Sequence, residues 1–128
     1  MARVVKEGTA PTAVQRDSTA LMARHDSLMA QQDQLFALKG KITAAKSPAA
    51  GPYLRGLVAA DNAMMDWMHQ YKAPDSTATD DARLAYYQRQ QQVLGGVSRR
   101  YRATIDSASL FIKQLPAAAP AASPAPTN

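Results

Sequence analysis

Cysteine is missing altogether, which excludes disulfides, iron–sulfur clusters and thiolate zinc sites from the chain. Aromatic residues other than tyrosine are scarce, with two Phe and one Trp. Burial must therefore rely on Leu, Met, Ile, Val and Tyr, set in narrow helical seams rather than one thick centre. No apolar run approaches the roughly 20 residues that cross a bilayer, so no transmembrane segment is expected. Residues 1–11 also lack the apolar stretch of a secretory signal, and the chain reads as soluble. Catalytic patterns are missing too. No serine stands in a nucleophile elbow, and no two carboxylates share a predicted face with an acid–base histidine. Gly95-Gly96 has neither a strand before it nor a P-loop lysine after it. The sequence points to a protein that is not an enzyme.

What is present fits one domain of 128 residues with a formal charge of +5. That charge permits weak attraction to anionic partners and identifies none of them. Its densest run is Arg99, Arg100 and Arg102. On a helix Arg99 and Arg102 share a face while Arg100 points elsewhere, and no aromatic platform accompanies them. A solvated face is the expectation, with no nucleic-acid partner.

Residues 1–11 carry Gly8 and Pro11 without a sustained period and read as a flexible leader. From about residue 12 to residue 46 there is no proline, and Val14, Leu21, Leu28, Leu35 and Ile42 recur every seven residues. This predicts a long first helix. Met22, Met29 and Phe36 follow one residue behind, which predicts a buried stripe two side chains wide. The stretch Ser47-Pro48-Ala49-Ala50-Gly51-Pro52 stops that helix, and Pro52 suits the first turn of the next. A shorter second helix should run to Tyr71 or Lys72, with Leu54, Leu57, Val58, Asp61, Met64, Met65 and Met68 on one arc. Thr77 or Thr79 can cap a third helix, whose seam runs from Leu84 through Tyr87, Leu94, Tyr101 and Ile105 to Leu115.

Gly95-Gly96 lies inside that seam. Two glycines cost about 2 kcal/mol relative to alanine in a helix interior, enough to bend a packed helix. A continuous helix is expected, the alternative being a fold-back into four. Residues 116–128 hold four prolines among small residues and read as a disordered Pro/Ala-rich tail. The predicted architecture is an all-α, up-down-up three-helix antiparallel bundle over residues 12–115, with long first and third helices.

Short connections make neighbouring helices antiparallel. Equal spacing about the turns would place Met29 opposite His69, His25 beside Met68 and Tyr71, and Asp61 near Lys39 or Gly40. Asp61 would then pair with Lys39 or Lys41, or with a tyrosine hydroxyl. Gln32 and Gln91 occupy seam positions suited to cross-helix hydrogen bonds. The short second helix would leave Val14 and Leu21 exposed at one end and Ile112 and Leu115 at the other, an invitation to homodimerise or to fold back.

Beyond Met1, every methionine and both histidines fall in two stretches, Met22 to Met29 and Met64 to His69. Met22, His25 and Met29 lie on one helix face, and the two stretches are expected to face each other. Thioether and imidazole suit Cu(I), so Met22, His25, Met29, Met65, Met68 and His69 form a candidate copper site. The competing reading is ordinary core, since methionine fills irregular gaps beside Trp67, Phe36 and Tyr71. His25 has its own plain reading: Asp26 points about 100° away and should not orient it, leaving a tyrosine hydroxyl or a carbonyl as partner. His69, near a helix end, is favoured there as an imidazolium whatever its role.

The pattern Met22-x-x-His25-Asp26-x-x-Met29, followed by Ala63-Met64-Met65-Asp66-Trp67-Met68-His69-Gln70-Tyr71, resembles a family of small bacterial proteins labelled "viral A-type inclusion protein". The label reflects coiled-coil similarity and describes no activity. The resemblance spans about residues 21–115 and implies an uncharacterised helical protein of the cell envelope, usually a lipoprotein. This chain carries no lipobox cysteine and has Gly95-Gly96 where the family usually has a charged, continuous helix. The resemblance implies no ligand or catalytic residues. The functional expectation is a noncatalytic helical binding or scaffolding protein of the envelope or periplasm, with an unknown protein partner or a second copy of itself. Copper binding is the alternative.

Overall fold

A computed structural model describes residues 10–116. The expected leader and tail fall almost wholly outside the described residues. Three helices make up the domain: α1 (Ala13–Ala45), α2 (Gly51–Gln70) and α3 (Asp80–Gln114). The all-α three-helix architecture is therefore as the sequence patterns imply.

Local chemistry sets the boundaries. Thr12 starts α1 through a capping box, its hydroxyl accepting from the Gln15 amide at 3.1 Å while the Gln15 side chain accepts from the Thr12 amide at 2.8 Å. Lys46 ends the helix in the left-handed region, with φ 52°. Pro52 stands in the first turn of α2, where its missing donor costs nothing. Thr79, not Thr77, caps α3, with Asp80 and Asp81 in the first turn beside the positive end of the helix dipole. Thr77 instead donates to the Asp75 carboxylate, from both its amide and its hydroxyl. Those bonds hold the Asp75 carboxyl below its usual range.

The seven-residue series on α1 forms the core line: Leu21, Leu28, Leu35 and Ile42 are all buried, with Leu38 beside them. The second stripe is not buried. Met22 is 37% and Phe36 51% exposed, and Met29 is half-buried. With only two neighbours to cover it, α1 hides one seam and leaves the flank of that seam at the surface. On α2 the buried positions are Leu57, Ala60, Met64 and Trp67, so the arc is rotated toward Trp67 and away from Val58 and Asp61. On α3 the seam holds, and the helix runs unbroken through Gly95-Gly96.

The pairing of levels differs from expectation. Gln32 bonds Asp61, and the ring of His25 lies 6.0 Å from that of Trp67. Met29 therefore stands level with Met64 and Met65 rather than with His69. On the other side Trp67 bonds Gln90 and Lys72 bonds Tyr86. On that α2–α3 side the cause is the connection over residues 71–79, which runs on past the end of α2 before α3 starts. It is held there by the Tyr86 hydroxyl on the Lys72 backbone and by Arg83 on the Ser76 and Ala78 carbonyls.

One consequence overturns the expected overhangs. The beginnings of α1 and α3 lie side by side and in parallel, since the Arg24 side chain reaches the Gln91 carbonyl at 3.4 Å. Both extend beyond the end of α2 in the same direction and cover each other. Leu21 is 0% exposed, and Val14 is partly buried against the core. At the far end Ile112 and Leu115 are also partly buried, with the turn at Lys46, Ser47 and Pro48 beside Leu115. The expected motive for homodimerisation through bare helix ends disappears.

Tyr101 is the largest fully buried side chain, and its hydroxyl has no hydrogen-bond partner among the described residues. An unmet buried hydroxyl costs stability that a phenyl ring would not. Tyr101→Phe should raise the unfolding free energy by about 1 kcal/mol, measured by urea denaturation. Burial, and then the Asp61 carboxylate, push the Tyr101 phenol up to about 12. Tyr71 is also pushed up to about 12, by burial first and then by the Tyr87 and Tyr86 phenols. In the unfolded chain both return to 10.0 and lose their protons first. Folding stability is therefore unaffected by their titration below that pH and falls as pH rises toward about 12, so alkaline unfolding should coincide with the phenolate absorbance change.

Candidate functional site in the groove between α1 and α2

Of the three helix–helix boundaries, α1–α2 is the least extensive, and it carries the candidate residues of both helices. Its centre is the hydrogen bond from the Gln32 amide to the Asp61 carboxylate, 2.7 Å long and partly buried. Asp61 was expected to meet Lys39, Lys41 or a tyrosine hydroxyl. Lys39 lines the same small cleft, but the bonded partner is Gln32, because the register brings Gln32 level with Asp61. The cross-helix role expected of Gln32 is realised. That of Gln91 is not a side-chain bond: its backbone carbonyl accepts from Arg24.

Helix periodicity fixes the rest of the groove. One turn before Gln32 comes Met29 and one turn after Asp61 comes Met65, so antiparallel helices set these two opposite each other. A further turn brings His25 to the level of Met68, in keeping with the contact of His25 and Trp67. In the other direction Phe36 and Val58 flank a cleft of about 160 Å³ that also takes in Leu35, Leu57, Lys39 and Asn62. Helix periodicity thus sets His25, Met29, Met65 and Met68 at neighbouring levels of the groove, and all four are half-buried. Met22 and His69 do not join them as ordered neighbours, since both are exposed, Met22 at the far end and His69 rotated away from Met68.

His25 departs from expectation in its orientation. Its Nδ1 stands 3.2 Å from the Asp26 carboxylate, within hydrogen-bond reach. Successive side chains diverge on a helix, yet an Asp and a His are long enough to bend toward each other at its surface. The ring continues into an aromatic row: Trp67 stacks on Tyr71 at 4.8 Å, and Tyr71 meets Tyr86 at 5.9 Å. Trp67 also donates to Gln90 at 2.7 Å, tying the end of the groove to α3. No group of three or more His, Asp or Glu is placed to hold a metal ion among the described residues. A site here would rest on thioether sulfur.

The arginines divide as helix geometry requires. Arg99 and Arg102 line one cleft against α1, while Arg100 lines another beside α2. They form no continuous stripe of the kind that tracks a nucleic-acid backbone. Sequence reasoning overlooked Arg24, whose reach to α3 spans 67 residues of chain and leaves no local signal. Among the described residues no helix is long and apolar enough to cross a membrane. No protein-family model matches the chain, and no match is found among curated proteins or among solved structures.

Proposed function

We propose that this protein is a noncatalytic helical binding protein that accepts the apolar face of a partner's helix in the groove between α1 and α2. The carrying observation is the pair Phe36 and Val58, 51% and 38% exposed, on either side of a cleft floored by buried Leu35 and Leu57. Large side chains left open beside the least extensive helix boundary are what a further helix would cover. The central Gln32–Asp61 pair supplies a polar mark that would fix the register of such a helix. A photo-cross-linking residue at position 36 should give one discrete adduct that is lost in Val58→Asp, while the same residue at exposed position 33 gives none. Absence of any adduct, with a monomer by light scattering, defeats the reading. Placement in the cell envelope is part of the proposal, supported by the resemblance of the Met-Met-Asp-Trp-Met stretch and tested by cell fractionation.

A second reading has its own observation. His25 is held by Asp26 at Nδ1 and faces the level of Met68, with Met29 and Met65 one turn away. Carboxylate-held imidazole beside thioethers is a donor set suited to Cu(I). Under reducing conditions Cu(I) should bind the native protein more tightly than a Met29→Leu, Met68→Leu variant. Equal, weak binding by both removes copper from consideration.

A further inference from the structure

Gly95-Gly96 serves nothing in the α1–α2 groove, and it lies on the opposite boundary, between α1 and α3. A Cβ at Gly95 would come 2.8 Å from the Arg24 guanidinium, so the glycine makes room for that side chain to lie across α3 and donate to the Gln91 carbonyl. Arg99 approaches the same floor: its guanidinium nitrogens lie 3.6 Å from the Cβ position of Gly95 and 3.8 Å from that of Gly96. Gly95, Arg24 and Arg99, together with Arg102 and Ser98, line an open cleft of about 430 Å³. Asp106 is the cleft's one carboxylate, and it forms no ion pair with any of the three arginines.

We infer that this cleft is a binding site for a phosphate group carrying two or more negative charges. Arg24 from α1 and Arg99 from α3 bring their guanidinium groups over Gly95, and Arg102 lines the same cleft, in a chain of net charge +5. A single carboxylate ligand is served by one guanidinium fork. Several forks arriving from different directions, with a serine hydroxyl beside them, match the tetrahedral oxygens of a phosphate. Gly95 keeps the approach to those donors clear and gives Arg24 its seat.

The ligand could be a free phosphate compound or a phosphate monoester headgroup at a lipid surface, and two arms separate them. In the first, inorganic pyrophosphate is titrated by calorimetry at constant ionic strength in chloride. In the second, the protein is sedimented with vesicles of phosphatidylcholine containing phosphatidic acid. Pyrophosphate binding with a Kd of about 1 mM or tighter identifies a free ligand, and binding to the vesicles alone identifies a headgroup. In the arm that binds, Arg24→Gln and Arg99→Gln should each weaken binding at least fivefold. Arg55→Gln, which removes the same charge from α2, should change it less than twofold. Gly95→Ala should push the Arg24 guanidinium aside and weaken binding while leaving the helical circular dichroism intact and the Tm no lower. Binding in neither arm overturns the site, and so does a loss as large in Arg55→Gln as in Arg99→Gln. Full retention in Gly95→Ala would also overturn it, because the glycine floor would then play no part.

Discussion

Replacing Leu28 by alanine should lower the unfolding free energy by about 3–5 kcal/mol, the cost of deleting a buried isobutyl group and leaving a cavity behind. Leu28 is 1% exposed, in the middle of the α1 core line, with Leu21 and Leu35 buried one heptad to either side. Little around it can collapse into the space, because its neighbours are held by two other helices. The Tm should fall by about 4 °C or more for each kcal/mol in a domain of this size, read by thermal circular dichroism. Met22→Ala is the matched control. Met22 belongs to the parallel heptad series yet sits at the surface, so its loss should cost within about 0.5 kcal/mol. Near-equal losses at the two positions would mean that α1 is rotated relative to the structure.

Trp67→Ala should be as damaging, at about 3–5 kcal/mol, and for more than one reason. The indole is 6% exposed and stacks on Tyr71, and it touches His25 at the edge of the groove. Its Nε1 also donates to the Gln90 side chain on α3, so it connects all three helices. Trp67→Phe separates the parts. It keeps much of the apolar contact and removes the donor to Gln90, which predicts a loss of about 1–3 kcal/mol. Chemical denaturation followed by circular dichroism is the measurement, since Trp67 is the only tryptophan and the variants lose that fluorescence signal.

These two residues also show what could be read from the sequence. The α1 core line was legible because a seven-residue period of leucines has one physical meaning, a seam facing neighbouring helices. The stripe of Met22, Met29 and Phe36 carries the same period, and periodicity alone cannot tell a buried flank from an exposed one. That depends on how many helices lean on α1. Trp67 was likewise visible as a large apolar residue, but its burial at the expense of Val58 and Asp61 follows from the rotation of α2.

The candidate groove was half legible. That the two methionine- and histidine-bearing stretches face each other could be argued from short connections and antiparallel packing. Which residue meets which could not. On the α2–α3 side the connection over residues 71–79 has an Asx turn at Asp75 and a tyrosine on α3 bonding the backbone at Lys72, and neither declares itself in a local pattern. The Gln32–Asp61 bond needed the register to be known first. Arg24 stands out in no motif, and its role depends on glycines far away in the chain.

The most extensive helix pairing joins the first and last helices, which are separated in sequence by the whole of α2. A ribosome releasing this chain would therefore present the leucines of α1 to solvent until nearly all of α3 had emerged. The hairpin of α1 and α2 is the least extensive pairing and offers that seam little shelter in the meantime. The α2–α3 hairpin is a pairing of neighbours and can zip locally, so what must wait for a contact of high sequence separation is the burial of the α1 seam. The domain thus closes over its first helix only after its third has been made.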